Sequence, residues 1–190
     1  MKGKIIILSA PSGTGKSTII SRLVKKPELR LGFSVSATSR APRGEEKDGK
    51  EYFFLSHADF MKKVEAGDFV EWEEVYQGTC YGTLVSEVER VTGRGDNLIM
   101  DVDVKGALSI KRRYGNDALA IFIMPPGIDV LAERLRGRAT DSEETILKRL
   151  AKAEYEMGFA GDFDTVVVND DLEKAVEEVE TKIQVFAIDN

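Results

Sequence analysis

A short segment near the N-terminus, Ala10-Pro11-Ser12-Gly13-Thr14-Gly15-Lys16-Ser17, constrains the fold more than any other stretch. It follows an apolar run, Ile5-Ile6-Ile7-Leu8, and precedes a run of helical character, Thr18-Ile19-Ile20-Ser21-Arg22-Leu23-Val24. A buried strand that turns through a glycine-rich loop into a helix is the setting of a phosphate-binding P-loop. The glycines let the backbone curl so that successive N–H groups point inward. The helix N-terminus adds its partial positive charge at the same spot. In that setting Lys16 reaches the β- and γ-phosphates of a nucleoside triphosphate, and the Ser17 hydroxyl binds Mg²⁺. Ala10 stands where the pattern usually has glycine. A methyl group is tolerable there if the residue keeps an ordinary negative φ.

Length and charge narrow the classes further. The chain has 190 residues, which fits one domain or one core carrying inserted subdomains. Chains of about 150 residues already bury roughly 70% of their unfolded surface, so a sizeable core is available. A net charge of −6 disfavours binding along nucleic-acid backbones, which needs a basic face. Cys80 is the single cysteine and His57 the single histidine. An intrachain disulfide, a cysteine-rich or multi-histidine metal site and a Ser/His/Asp arrangement are therefore not expected. The apolar stretch after Lys2 and Lys4 is too short for a signal peptide, and no run approaches the roughly 20 apolar residues of a membrane span. The expectation is a cytoplasmic protein without membrane or nucleic-acid partners.

Short β-rich runs alternate with helical patterns, which predicts an α/β fold with a parallel sheet. The core strands are expected at Lys4–Ser9, Phe33–Ser36, Asn97–Val102, Ala118–Met124 and Thr165–Val168. Several are almost wholly apolar, as in strands covered on both faces. Helices are expected at Ser17–Val24, Lys105–Tyr114, Ile128–Leu135, Ser142–Met157 and Leu172–Phe186. Asp141-Ser142-Glu143-Glu144 and Asp170-Asp171 supply capping and first-turn acidic residues for the last two. The alternation breaks over about 37–84. A polar stretch, Ala37–Lys50, leads there to Glu51–Leu55, a helical patch near Asp59–Ala66 and a strand at Asp68–Tyr76. A small inserted β-rich subdomain is expected at that point, and a second insert over about 127–158 around a cluster of arginines.

A P-loop alone implies only nucleoside triphosphate binding. The segment Ser34-Val35-Ser36-Ala37-Thr38-Ser39-Arg40-Ala41-Pro42-Arg43-Gly44 adds two arginines, stiffened by Pro42, that offer guanidinium forks to a second phosphate. Read by itself, the same loop also fits a solvated turn. Asp101 ends the apolar run Leu98-Ile99-Met100 and fits an acid near Mg²⁺. Asp103 would face the same side if that strand continues.

These blocks occur in an order that resembles the guanylate kinase family over essentially the whole chain. They are Ser36 to Arg43, Phe69-Val70-Glu71-Trp72, Tyr81-Gly82-Thr83, Asp101 to Gly106, Arg134-Leu135-Arg136-Gly137-Arg138 and Val168-Asn169-Asp170-Asp171-Leu172. Lys105 and Ala139 depart from the common pattern of that family, which has glutamine and glycine there. The resemblance implies a P-loop core (about 1–36, 85–126 and 159–190), a GMP-binding subdomain (about 37–84) and a helical lid (about 127–158). It also implies transfer of the γ-phosphoryl group of MgATP to GMP, with dGMP as a further acceptor, in purine nucleotide metabolism.

Residue roles follow from the same resemblance. Ala10, Pro11, Ser12, Gly13, Thr14, Gly15, Lys16, Ser17 and Thr18 bind ATP, with Asn169 lining its adenine side. Ser36, Glu71, Thr83 and Asp103 read the guanine. Arg40, Arg43, Tyr52 and Tyr81 hold the monophosphate. Ser17 and Asp101 face Mg²⁺. Lys16, Arg40, Arg43 and the lid arginines Arg134, Arg138 and Arg149 carry the catalytic charge. Guanine offers O6 as an acceptor with N1–H and N2–H₂ as donors, so a carboxylate and a hydroxyl suit it. Two readings of other kinds stay open at this point: an interaction module that keeps the fold without catalysis, and a P-loop kinase for another phosphorylated acceptor. Oligomeric state has no sequence signal.

Overall fold

The computed structural model describes residues 2–137 and 142–188. In chain order the elements are β1 (Ile5–Ser9), α1 (Lys16–Leu23), β2 (Leu31–Phe33), β3 (Ala37–Thr38), β4 (Phe53–Phe54), α2 (His57–Glu65), β5 (Phe69–Tyr76), β6 (Thr79–Leu84) and α3 (Val85–Gly93). They continue as β7 (Asn97–Asp101), α4 (Val104–Tyr114), β8 (Ala118–Met124), α5 (Ile128–Gly137), α6 (Glu143–Met157), β9 (Thr165–Val168) and α7 (Leu172–Ile188).

The main sheet has the order β2-β7-β1-β8-β9, and its strands pair in parallel. The alternation of side chains along β1 explains why helices cover both faces. Ile6 and Leu8 join a core with Ile19, Leu23, Val176 and Val179 from α1 and α7. Ile5 and Ile7 point the other way, into a core with Val88, Val104, Ala107 and Ile110 from α3 and α4. β1 is therefore central in two directions, between β7 and β8 in the sheet and between helices above and below. In such sheets ligands bind beyond the C-terminal strand ends, where neighbouring connections diverge.

A second sheet, β4-β3-β6-β5, lies within residues 37–84. It has its own core of Ala37, Phe60, Phe69, Cys80 and Leu84, with the Phe60 and Phe69 rings stacked 4.4 Å apart. α5 and α6 pack together through Leu131, Leu135, Ile146 and Ala153. Residues 138–141, with Arg138, Ala139 and Asp141 among them, lie outside the described residues.

Several boundaries differ from the sequence reading. The second strand is Leu31–Phe33, not Phe33–Ser36, because only the earlier residues pair with β7, in the register Leu31↔Asn97 to Phe33↔Ile99. Beyond them the Val35 N–H donates to the Glu87 carboxylate at 2.7 Å, which draws the chain out of the sheet. β7 stops at Asp101, so Asp103 does not continue the strand; its carboxylate instead caps α4, accepting from Gly106 N at 2.7 Å. Ser142 is likewise the cap of α6 rather than its first residue. α3 and β6 had no counterpart in the sequence reading.

Ile6 is fully buried between β1's helices. Ile6→Ala is expected to destabilise the chain by about 2–5 kcal/mol, read as a lower urea midpoint at unchanged slope. A loss below about 0.5 kcal/mol would contradict the central place of β1.

Candidate active site

The P-loop begins where β1 ends. Gly13 and Gly15 sit at φ 92° and 97°, in the left-handed region that disfavours a side chain. Ala10 keeps an ordinary backbone, since Arg30 is the one non-glycine at positive φ among the described residues. Thr14 is buried and tightens the turn: its N–H and its hydroxyl both donate to the Pro11 carbonyl, at 3.2 and 2.8 Å. Lys16 opens α1, and its ammonium lies 2.5 Å from Asp101 Oδ1 and 3.4 Å from the Val102 carbonyl. α5 backs the loop from another side, where a Cβ on Gly13 would lie 2.8 Å from the Leu135 side chain.

A cleft of about 430 Å³ opens over this loop. Ala10, Pro11, Ser12, Gly13, Gly15, Lys16, Ser17 and Thr18 form one wall, Asp101 to Asp103 another, and Arg149, Lys152 and Glu156 of α6 the third. Asn169 does not line it. Its amide instead donates to the Thr14 carbonyl at 2.6 Å from behind the loop, and its own N–H is held by the Met124 carbonyl at 2.8 Å. A Cβ on Gly15 would come within 2.6 Å of that amide nitrogen, so glycine is required there on two counts. Arg134 lies outside the cleft, with a long 3.5 Å contact to the Asp170 carbonyl.

A second cleft of about 310 Å³ lies between the two sheets. Ser36, Tyr52, Glu71, Tyr81, Thr83 and Asp103 line it, together with Phe33, Ser34 and Glu73. Glu71 and Thr83 are directly opposed across β5 and β6, and the Thr83 hydroxyl donates to Glu71 Oε1 at 2.7 Å. A register shift between Phe69 and Glu71 interrupts β5 just before this pair. Burial pushes the Glu71 carboxyl above the usual glutamate range, against the pull of the Thr83 hydrogen bond, and nearby Asp103 adds to the push. Gly82 leaves the room that brings the strands together, since a Cβ would lie 2.7 Å from the Glu71 carbonyl.

Arg40 stands beside this cleft. Its Nε donates to Tyr81 Oη at 3.2 Å, and its guanidinium lies 5.0 Å from the Tyr52 ring centre. Glu46 grips the same guanidinium in a fork, at 2.7 and 2.8 Å, and also accepts from Arg43 N. Arg40 and the Arg43 N–H hold the Glu46 carboxyl down to about 2. Arg43 itself is exposed and its side chain lines neither cleft. Glu46, Phe33, Lys152 and Glu156 are not among the site residues that the sequence predicts. For Lys152 and Glu156 the helical spacing from Arg149 is a usable signal, whereas Glu46 sits in an irregular loop with none. Cys80 is buried behind the sheet, where desolvation pushes its thiol up and keeps it unreactive. A larger cleft, about 790 Å³, lies between β9 and α7 and holds none of the expected site residues.

A doubly covered parallel sheet with this loop at the tip of its central strand defines a P-loop nucleotide-binding protein. A family model described as guanylate kinase matches residues 2–185. The guanylate kinase of Porphyromonas gingivalis is 58% identical over 183 residues, covering 96% of this chain and 97% of its own length. That of Bacteroides thetaiotaomicron is 54% identical over 186 residues, covering 98% and 91%. A crystal structure of guanylate kinase from Anaplasma phagocytophilum superposes with a TM-score of 0.71 at 29% identity, over 98% of this chain and 87% of that one. The chain belongs to the guanylate kinase family.

Asn169→Ala removes the brace behind the P-loop and leaves the buried Thr14 carbonyl unpaired. A destabilisation of about 1–3 kcal/mol is expected, with a raised KM for ATP and an unchanged KM for the acceptor. Thermal unfolding and two-substrate kinetics check this; an unchanged KM for ATP would show that the loop holds its shape without Asn169.

Proposed function

We propose that this chain transfers the γ-phosphoryl group of MgATP to GMP, giving ADP and GDP, with the P-loop cleft as donor site and the cleft between the sheets as acceptor site. The observation that carries this reading is shared geometry. Asp101, Val102 and Asp103 line both clefts, so an ATP in one and a monophosphate in the other meet at their phosphate ends. Holding two anions in line, and neutralising the charge between them, is most of what phosphoryl transfer requires. The acceptor phosphate is itself the nucleophile, so no covalent enzyme intermediate and no strong general base are needed.

On this reading the P-loop backbone and Lys16 hold the β- and γ-phosphates. Arg149 faces them from α6. Residues 127–158 act as the lid, which carries Arg134 and Arg138 toward the transferring group as it closes and excludes water. Arg40, Arg43, Tyr52 and Tyr81 hold the acceptor phosphate, with Arg40 exchanging its Glu46 partner for phosphate oxygens. Residues 37–84 form the acceptor-binding subdomain. The Ser17 hydroxyl and the Asp101 carboxylate are hard oxygen donors in the P-loop cleft, and they suit Mg²⁺, which is held by one or two protein groups plus substrate phosphates. When bound, that ion neutralises charge between the β- and γ-phosphates. Among the described residues no helix is long and apolar enough to cross a membrane.

Base choice rests on Glu71. Its carboxylate accepts from guanine N1–H and N2–H₂ together, while the Ser36 and Thr83 hydroxyls and Asp103 complete the edge. Adenine has the opposite polarity there and would leave a half-buried carboxylate unpaired, a mismatch that discriminates strongly. The 2′-hydroxyl plays no part in this contact, so dGMP is a second acceptor.

Glu71→Gln is expected to raise KM for GMP by roughly 10–100-fold and KM for ATP by less than about twofold. Protonation of Glu71 removes the acceptor, so GMP binding weakens as pH falls toward a carboxyl held above its ordinary 4.5. The Gln variant lacks that acid limb. Equal losses for both substrates would place Glu71 outside the base pocket.

A further inference from the structure

On α6, Arg149, Lys152 and Glu156 stand three and four residues apart, which places them on one helical face. All three line the P-loop cleft, across from Lys16 and Ser17. Lys148, one turn before Lys152, does not line the cleft, and its ammonium is tied to Glu144 at 2.7 Å. The resemblance to known kinases accounts for Arg149 and leaves the other two without a role.

Their chemistry is unusual for a helix surface. Glu156 is only 8% exposed, and a buried carboxylate is costly unless cations face it. Burial pushes its carboxyl up, and Asp103 adds to that push, while Lys152 and Lys16 pull it back down. Lys152 Nζ lies 3.6 Å from Glu156 Oε1, an ion-pair distance too long for a hydrogen bond. The Lys152 side chain is 69% exposed and lines the P-loop cleft, so its ammonium is held near Glu156 while staying accessible to a ligand there. A compact ammonium on a flexible stem suits a terminal phosphate, as a point charge beside the fork of Arg149.

We propose that Lys152 is a further phosphate-contacting residue of the donor cleft, and that Glu156 is a positioning residue that aims its ammonium at the polyphosphate. This rests on the reading that the P-loop cleft holds the phosphates of ATP. Lys152 acts at the outer end of the polyphosphate, so its contribution grows with phosphate number. Glu156 acts only through Lys152.

The test uses the full chain with Lys152→Ala, Lys152→Arg, Glu156→Gln and the Ala/Gln double variant. Equilibrium binding of MgATP and ADP, steady-state kinetics and thermal unfolding are measured together. Lys152→Ala is expected to weaken MgATP by about tenfold and ADP by about twofold, with KM for GMP and the unfolding midpoint unchanged. Lys152→Arg restores most of the loss. Glu156→Gln gives a smaller loss with the same preference for ATP, and the double variant is no worse than Lys152→Ala alone. Wild-type ATP binding by Lys152→Ala, or an equal loss for both substrates, overturns the proposal. Additive losses in the double variant assign Glu156 to the packing of α6 and overturn its positioning role. A wild-type chain that is folded but does not bind MgATP overturns the donor-cleft reading itself.

Discussion

The adjacent ends of β1 and β7 set the position of both clefts. β1 is buried on both faces and delivers a loop whose left-handed glycines turn backbone N–H groups inward. β7 runs parallel beside it and ends at Asp101, within 2.5 Å of Lys16. The turn from Asp101 to Asp103 then forms a wall common to the two clefts. The wall that the two clefts share thus hangs from adjacent strand ends of one sheet, and sites built on such elements are held most precisely.

Charge is arranged around that junction in pairs. Lys16 faces Asp101, Arg40 faces Glu46, and Lys152 faces Glu156. A chain of net charge −6 does not attract nucleotides through its overall field, so affinity depends on cations held at defined places. Each carboxylate keeps its partner's long side chain near the cleft. If, as proposed, these ion pairs exchange for phosphate contacts, less side-chain order has to be created on binding. Glu71 is the exception: it faces Thr83 and Asp103 rather than a cation, in keeping with the proposed role as acceptor for base donors.

What the sequence makes legible follows from how local each signal is. The P-loop is contiguous, and its strand–loop–helix setting is readable without any tertiary knowledge. β8 and β9 are apolar runs between clear breaks. The second strand is misplaced because Ser34–Ser36 leaves β7: the Val35 N–H turns to Glu87 and the Ser36 carbonyl accepts from the Phe53 N–H of the second sheet, partners far away in sequence. α3 is hidden because Val85, Val88 and Val91 suit a strand as well as a helix, although their threefold spacing marks a buried helical face. The brace that the Asn169 amide gives the P-loop at the Thr14 carbonyl is a contact between residues 155 apart in sequence, for which no local pattern exists. Glu46 finds Arg40 through a loop with no periodicity at all.

The most direct test of two facing clefts with a guanine-reading carboxylate is ADP formation from MgATP measured side by side with GMP, AMP, UMP, CMP and no acceptor. The geometry predicts strong turnover with GMP and little with the other three or without an acceptor. Comparable turnover with AMP would keep the P-loop kinase and contradict the pairing of Glu71 with guanine. No turnover with any acceptor from a folded chain would contradict the account of the two clefts as donor and acceptor sites.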